Sequence, residues 1–174
     1  MGGGGKSGYI DFKLKDISGE DFSRQVLVGG NFMLCKAVKT MFHYTDLTDT
    51  SFMFATLWMT EFNHAELIAA NLSNVDGWKA SFENSRIFDG NFTRFHGRGC
   101  IFRNTKLNGS TFRDSQLWQA DFRSTDCTDV DFTNANLREV LWDENTILTG
   151  ARFDGVPEEF LPYNIKGGRR LHII

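Results

Sequence analysis

A chain of 174 residues that is 41% hydrophobic and contains only 2 prolines has enough apolar material for one globular domain with a sizeable core, which excludes a disordered chain. Nineteen basic against 22 acidic residues leave a formal net charge of -3, too balanced in bulk for a nucleic-acid binder or for a strongly acidic mimic of one. No apolar run approaches the roughly 20 residues that span a bilayer, so no membrane role is expected.

Residues 1–9 open Met1-Gly2-Gly3-Gly4-Gly5-Lys6-Ser7 and read as a flexible N-terminal segment foreign to the fold, without the apolar stretch of a secretion signal. The Gly5-Lys6-Ser7 run lacks the glycine five residues earlier, and the preceding strand, that a phosphate-binding loop requires.

From position 12 a different rule takes over. Every fifth residue from Phe12 to Ile147 forms a series of 28 positions, 24 of them Phe, Leu, Ile or Trp, with no insertion or deletion. Two residues before each central position, from Gly30 to Val140, 22 of 23 residues are Ala, Ser, Thr, Val, Cys or Gly, and Phe95 is the exception. The residue between these two is often Asp or Asn, as in Ala70-Asn71-Leu72 and Ala120-Asp121-Phe122. A helix needs a period near 3.6 and a strand a period of 2, and neither produces a strict five. A five-residue unit that points one large and one small side chain inward cannot bury its face alone, so the units must stack as a solenoid over residues 10–150.

Units such as Ala70-Asn71-Leu72-Ser73-Asn74 and Ala120-Asp121-Phe122-Arg123-Ser124 resemble those of the pentapeptide-repeat family, and the resemblance covers about 80% of the chain. It implies an all-β right-handed quadrilateral β-helix, four units to a coil, about seven coils and roughly 34 Å of height at a strand spacing near 4.8 Å. Phe dominates alternate central positions and Leu or Ile the others, which predicts ring ladders on two opposite faces and aliphatic ladders on the other two.

Further along, Gly77 and Gly97 fall one coil apart on the same face and leave two consecutive vacancies, a void costing several kcal/mol unless filled. Phe95 is expected to turn inward and fill it, with an inward fold of Trp78 as the alternative. After Ile147 the register breaks, because Ala151-Arg152-Phe153-Asp154-Gly155 repeats the motif one residue late. Pro157-Glu158-Glu159-Phe160-Leu161 then predicts a short helical turn, and residues 151–174 are expected to cap the last coil or, alternatively, to dock on a second copy.

Little in the chain points to chemistry. Cys35, Cys100 and Cys127 are odd in number and widely spaced, and read as reduced, buried side chains of a cytoplasmic protein. The sequons at Asn71, Asn91 and Asn108 follow from repeat composition and predict no glycosylation. His43 and His64 fall on the outside of one face in successive coils, but no carboxylate or cysteine in matching register completes a metal site. No Ser-His-Asp or paired-carboxylate set separates itself from the Asp and Ser of the repeat, so neither catalysis nor a cofactor or metal is expected.

The outward positions carry the functional signal. Counting in twenties gathers Met33, Leu34, Met53, Phe54, Val38, Trp58, Met59 and Trp78 on two adjacent faces of the second to fourth coils, with Trp118 further along the same face. So much contiguous apolar surface, in residue types enriched at interface cores, predicts a protein-binding surface or a homodimer contact. Outward ladders of like side chains that merely stabilise the stack are the competing reading, and Arg98 between Trp78 and Trp118 favours it locally through cation–π stacking. Arg94, Arg98, Arg103, Arg113, Arg123 and Arg138 make the second half locally basic, opposite an acidic stripe of Asp46, Asp49, Glu66, Asp89, Asp126 and Asp129. The expected function is a non-catalytic scaffold that binds an unidentified protein partner, without direct nucleic-acid binding. The alternative, implied by the family resemblance and by the stretch Gly19-Glu20-Asp21-Phe22-Ser23-Arg24-Gln25, is a DNA mimic that protects DNA gyrase from inhibitors.

Overall fold

The computed structural model describes residues 10–163. Its backbone closes one square coil every twenty residues: Asp11 bridges Asn31, Asp16 bridges Lys36, Asp21 bridges Met41 and Val26 bridges Asp46, all parallel, and the series continues without a gap to Asp121 and Leu141. We designate the four faces by their first central residue, as the Phe12, Ile17, Phe22 and Leu27 faces.

Each unit satisfies its own backbone, which explains its sequence. In the first unit Phe12 N donates to Asn31 O at 2.7 Å and Leu14 N to Met33 O at 3.0 Å, both one coil up, while Lys15 N closes the corner onto Phe12 O at 3.0 Å. In the next coil Asn31 N donates down to Ile10 O at 2.9 Å. One N–H per unit is left over, that of the residue after the central one. The Asp or Asn before the central residue accepts it: Asp11 Oδ1 from Lys13 N at 3.0 Å, Asn71 Oδ1 from Ser73 N at 3.0 Å, Asp131 Oδ1 from Thr133 N at 2.9 Å. The small inward residue is often Thr or Ser because its hydroxyl reaches a carbonyl one coil below, as Thr40 does to Ile17 O at 2.9 Å and Thr125 to Phe102 O at 2.6 Å.

Turning a right angle every five residues sets a further constraint. The second residue after each central one holds a positive φ near 55–65°, at 22 non-glycine positions from Leu14 to Glu139. β-branched side chains are poorly tolerated there, and from Leu14 to Glu139 none of these corner positions is Val, Ile or Thr.

Inside, every central residue from Ile17 to Leu137 is buried. The Phe12 and Phe22 faces are opposite one another and carry parallel ring ladders, for example Phe32 on Phe52 with centroids 4.6 Å apart and planes within 10°. The two ladders meet edge to face along the axis, as Phe32 and Phe42 do at 5.7 Å and 89°. Each buried ring contributes about 1.5–3 kcal/mol of apolar burial, with roughly 0.5–1.5 kcal/mol more for each well-placed aromatic pair.

Phe95 lies inside, fully buried, with its ring edge to face against Phe92 at 5.2 Å. A Cβ built on Gly77 would stand 2.7 Å from Phe95 Cε2, and one on Gly97 2.7 Å from Phe95 Cδ1, so the ring occupies the space both glycines vacate. Trp78 stays on the outside, half-buried.

The register break falls earlier than the sequence suggests. Asp121 pairs with Leu141, twenty residues on, but Asp126 pairs with Ile147 and Asp131 with Arg152, twenty-one on, which places the extra residue between 141 and 147. Ile147, expected inside, is 43% exposed, and Leu148 takes the inward place at 7%. Asp143 repairs the slip. Its carboxylate accepts Ser124 N at 2.8 Å, the ladder bond that a backbone carbonyl accepts elsewhere, together with Ser124 Oγ at 2.9 Å and Asn145 N at 3.1 Å. Thr146 Oγ1 lies 2.9 Å from Asp143 Oδ1 and 3.0 Å from Phe122 O, keeping the inward hydroxyl contact across the longer unit. The coil runs on to Phe153, stacked on Phe132 at 5.2 Å. A 3-10 turn, Glu158–Phe160, then follows Pro157 and lays Phe160 against the core. The expected docking of the last residues lies outside the described residues.

Candidate interaction surface

The corner after the Phe12 face stacks Leu14, Leu34 and Phe54, exposed to 69%, 47% and 50%. Each stands at a positive-φ corner, where the backbone aims the side chain away from the column. Met33 and Met53 lie beside them, half-buried, on the flat of the face. Around the corner, on the Ile17 face, Trp58 is 41% exposed, with Val38 and Met59 half-buried next to it and Trp78 half-buried one coil above. The register therefore places Met33, Leu34, Met53, Phe54, Trp58, Met59 and Trp78 on two adjacent faces of the second to fourth coils, each at least partly exposed. Leu14, exposed in the first coil of the same column, extends this patch toward the N-terminal end; its spacing of twenty from Leu34 is the signal that finds it.

Trp118 stands apart. It is three coils above Trp58 and separated from Trp78 by Arg98. Arg98 lies over the Trp118 ring at 4.0 Å and Arg138 over the same ring at 5.8 Å, so the indole is the filling between two guanidinium groups. Trp78 is covered instead by Lys79 at 4.8 Å.

What reads in sequence as a basic second half is mostly closed ion pairs. Arg113 meets Asp131 at 2.8 Å, Arg123 grips Asp121 through two nitrogens at 2.7 and 2.9 Å, Arg103 lies 3.4 Å from Glu83 and 3.7 Å from Asp121, and Arg138 lies 3.4 Å from Glu139. Burial opposes ionisation of Asp121, yet hydrogen bonds from Arg123 outweigh it and hold the carboxyl below its usual range. Arg94 and Arg98 have no ion-pair partner among the described residues. Within the acidic stripe Glu66 is paired with Arg86 at 2.6 Å, while Asp49, Asp89 and Asp129 stand exposed along one corner with no ion-pair partner among the described residues.

His43 and His64 do not meet. His43 Nε2 sits 2.8 Å from Glu61, and His64 stacks on Tyr44 at 4.6 Å, which in turn carries Arg24 at 5.3 Å. Among the described residues no cluster of His, Cys, Asp and Glu could hold a metal ion. Cys35, Cys100 and Cys127 are buried free thiols, and burial pushes that of Cys35 up to about 12. A groove of about 730 Å³ lies at the C-terminal end between Val140, Leu141 and Trp142 of the last coil and Phe160 and Leu161 of the turn.

Comparison with known proteins agrees with this architecture. The family model "Pentapeptide repeats" matches residues 100–138 in eight copies. The fold is similar to that of HetL, a pentapeptide repeat protein involved in heterocyst differentiation regulation from the cyanobacterium Nostoc sp. strain PCC 7120, with a TM-score of 0.53 and 15% identity over 83% of this chain and 77% of that one. It is similar too to trypsin-treated QnrB1, a plasmid-mediated fluoroquinolone resistance protein, with a TM-score of 0.54 and 16% identity over 84% of this chain and 80% of that one. At these identities the likeness establishes the fold, a right-handed quadrilateral β-helix. No curated protein matches the sequence.

Proposed function

We propose that this chain, a member of the pentapeptide-repeat family, is a non-catalytic scaffold that binds a protein partner through the patch centred on Phe54 and Trp58. The observation that carries the reading is the joint exposure of Leu34, Phe54 and Trp58 at 47%, 50% and 41% on a column that buries twelve phenylalanine rings. A ladder that only stabilised the stack would cover these side chains with one another or with cations, as Trp78 and Trp118 are covered. Aromatic anchors on a rigid surface lose little conformational entropy on association, which lowers one of the costs that offset apolar burial. The test compares binding and sedimentation of the wild type with Phe54→Ala/Trp58→Ala. Loss of binding or of self-association in the variant supports the patch; binding unchanged by it removes the patch from the function.

The exposed column of Asp49, Asp89 and Asp129 favours a second reading, in which the acidic side of the rod takes the place of DNA on gyrase. Relief of fluoroquinolone inhibition of gyrase supercoiling by the purified protein, lost on Asp89→Asn/Asp129→Asn, is the result it requires.

A further inference from the structure

The two halves of the surface differ in charge around the axis rather than along it. Among the described residues, six exposed cations on the Phe12 and Ile17 faces have no ion-pair partner: Lys13, Lys15, Lys39, Lys79, Arg94 and Arg98. They border the apolar patch below, beside and above it, while Asp49, Asp89 and Asp129, without ion-pair partners among the described residues, line the corner that the Leu27 face shares with the Phe12 face, and Asp11 and Asp76, likewise without ion pairs there, stand on the patch's own two faces. Where the chain has the choice it closes its charges: Lys36 meets Asp16 at 3.1 Å across the coil beside Lys39, and Arg86, Arg103 and Arg113 all find carboxylates. Of the eight cations left without an ion pair among the described residues, six border the patch, and only Arg24 and Lys106 lie on the other two faces.

Resting on the patch as the binding surface, we infer that its occupant is an acidic protein segment carrying aliphatic or aromatic anchors, whose carboxylates face this rim of lysines and arginines. The apolar strip from Leu14 past Phe54 to Trp78 crosses four coils, about 14 Å at the strand spacing, so the segment is short. The chain's own ends do not have this chemistry: residues 1–9 and 164–174 contain no Asp or Glu and instead add Lys6, Lys166, Arg169 and Arg170. The more acidic Phe22 and Leu27 faces of a second copy match the charge but offer no strip of anchors, since their exposed large apolar side chains among the described residues are Val26 and Val28 in the first coil, Tyr44 in the second and Leu141 and Ile147 in the last, with none in the coils between. Duplex DNA matches the cations but leaves Leu34, Phe54 and Trp58 against phosphate. A segment that is both acidic and apolar satisfies both halves of the surface, with the charges setting orientation and encounter rate and the rings supplying affinity.

The probe is a display library of random peptides of about 16 residues, selected on the immobilised full-length protein. Enriched peptides are measured by fluorescence anisotropy on wild type, Phe54→Ala/Trp58→Ala and Lys39→Glu/Lys79→Glu, each confirmed folded by its thermal melt. The expected peptides place Asp or Glu around aromatic or aliphatic residues. Their affinity falls at least about tenfold on raising salt from roughly 50 to 300 mM, and by a similar factor on charge reversal. Peptides that need Phe54 and Trp58 but are neutral or basic, or whose affinity ignores salt and charge reversal, overturn this inference and leave the patch standing. Peptides that bind the Phe54→Ala/Trp58→Ala variant as tightly as wild type, or no enrichment at all, overturn both. Tighter binding of a duplex oligonucleotide to the same faces, or salt-sensitive dimerisation abolished by Lys39→Glu/Lys79→Glu, overturns the acidic-peptide assignment.

Discussion

Replacing Phe95 with alanine should be among the most damaging single substitutions in this column, and its partners should reveal why. The ring is fully buried and packed edge to face against Phe92, and it covers two glycines that have no side chain to relax into the void. Core Phe→Ala substitutions cost about 3–5 kcal/mol, growing with the volume that fails to collapse, and here Gly77 and Gly97 ensure that little collapses. The upper part of that range corresponds to a fall in melting temperature of roughly 10 °C or more for a domain of this size. The decisive measurement is a double-mutant cycle by chemical denaturation with Gly77→Ala. In the wild type the new Cβ meets the Phe95 ring and must destabilise; in the Phe95→Ala background the same methyl enters an empty space and must stabilise. The sign of the Gly77→Ala effect should therefore reverse. If Gly77→Ala costs the same in both backgrounds, the glycines are not vacated for Phe95 and the packing argument fails.

Three further outcomes follow from the backbone and the charges. At Asn84, where φ is +60°, Asn84→Gly should be neutral or stabilising and Asn84→Val should cost about 1–2 kcal/mol, read from denaturation midpoints. Burial works against ionisation of Asp143, but its bonds from Ser124, Thr146 and Asn145 bring its pKa from the usual 3.8 down to about 2. Its stabilising contribution is thus complete above pH 4 and disappears as pH falls through about 2, so wild-type melting temperature should drop more steeply over that interval than that of Asp143→Asn; parallel curves would contradict it. Finally, Arg98→Ala should cost about 0.5–1 kcal/mol in wild type and almost nothing once Trp118 is alanine, because it acts through that ring, whereas Arg138→Ala should keep part of its cost through the ion pair with Glu139.

Much of this molecule is written in its local chemistry. A period of five in Phe and Leu, a small residue two places before, and Asp or Asn between them each answer a requirement contained within one unit and its image twenty residues on: a ring to bury, a carbonyl to reach, an N–H to accept. That is why the inward assignments of Phe52, Phe102 and Leu117, the outward ones of Phe54 and Trp58, and the turn of Phe95 into the double-glycine gap could all be read by counting. The corner rule was equally legible in the missing Val, Ile and Thr, though only the positive φ values give it meaning.

Tertiary structure alone decided the rest, because those outcomes depend on competition between partners that counting treats as equal. Trp142, Asp143, Ile147 and Leu148 offered more than one place to absorb an extra residue, and the coil slipped where a carboxylate could replace the lost ladder bond. Arg98 had an indole above and below and stacked on Trp118, leaving Trp78 to Lys79. Arg103, Arg113, Arg123 and Arg138 closed onto carboxylates while Arg94, Arg98, Lys39 and Lys79 met none among the described residues. An ion pair forms or fails within an ångström or two, a distance set by side-chain reach across neighbouring coils, so which charges remained open was settled only when the column stood complete.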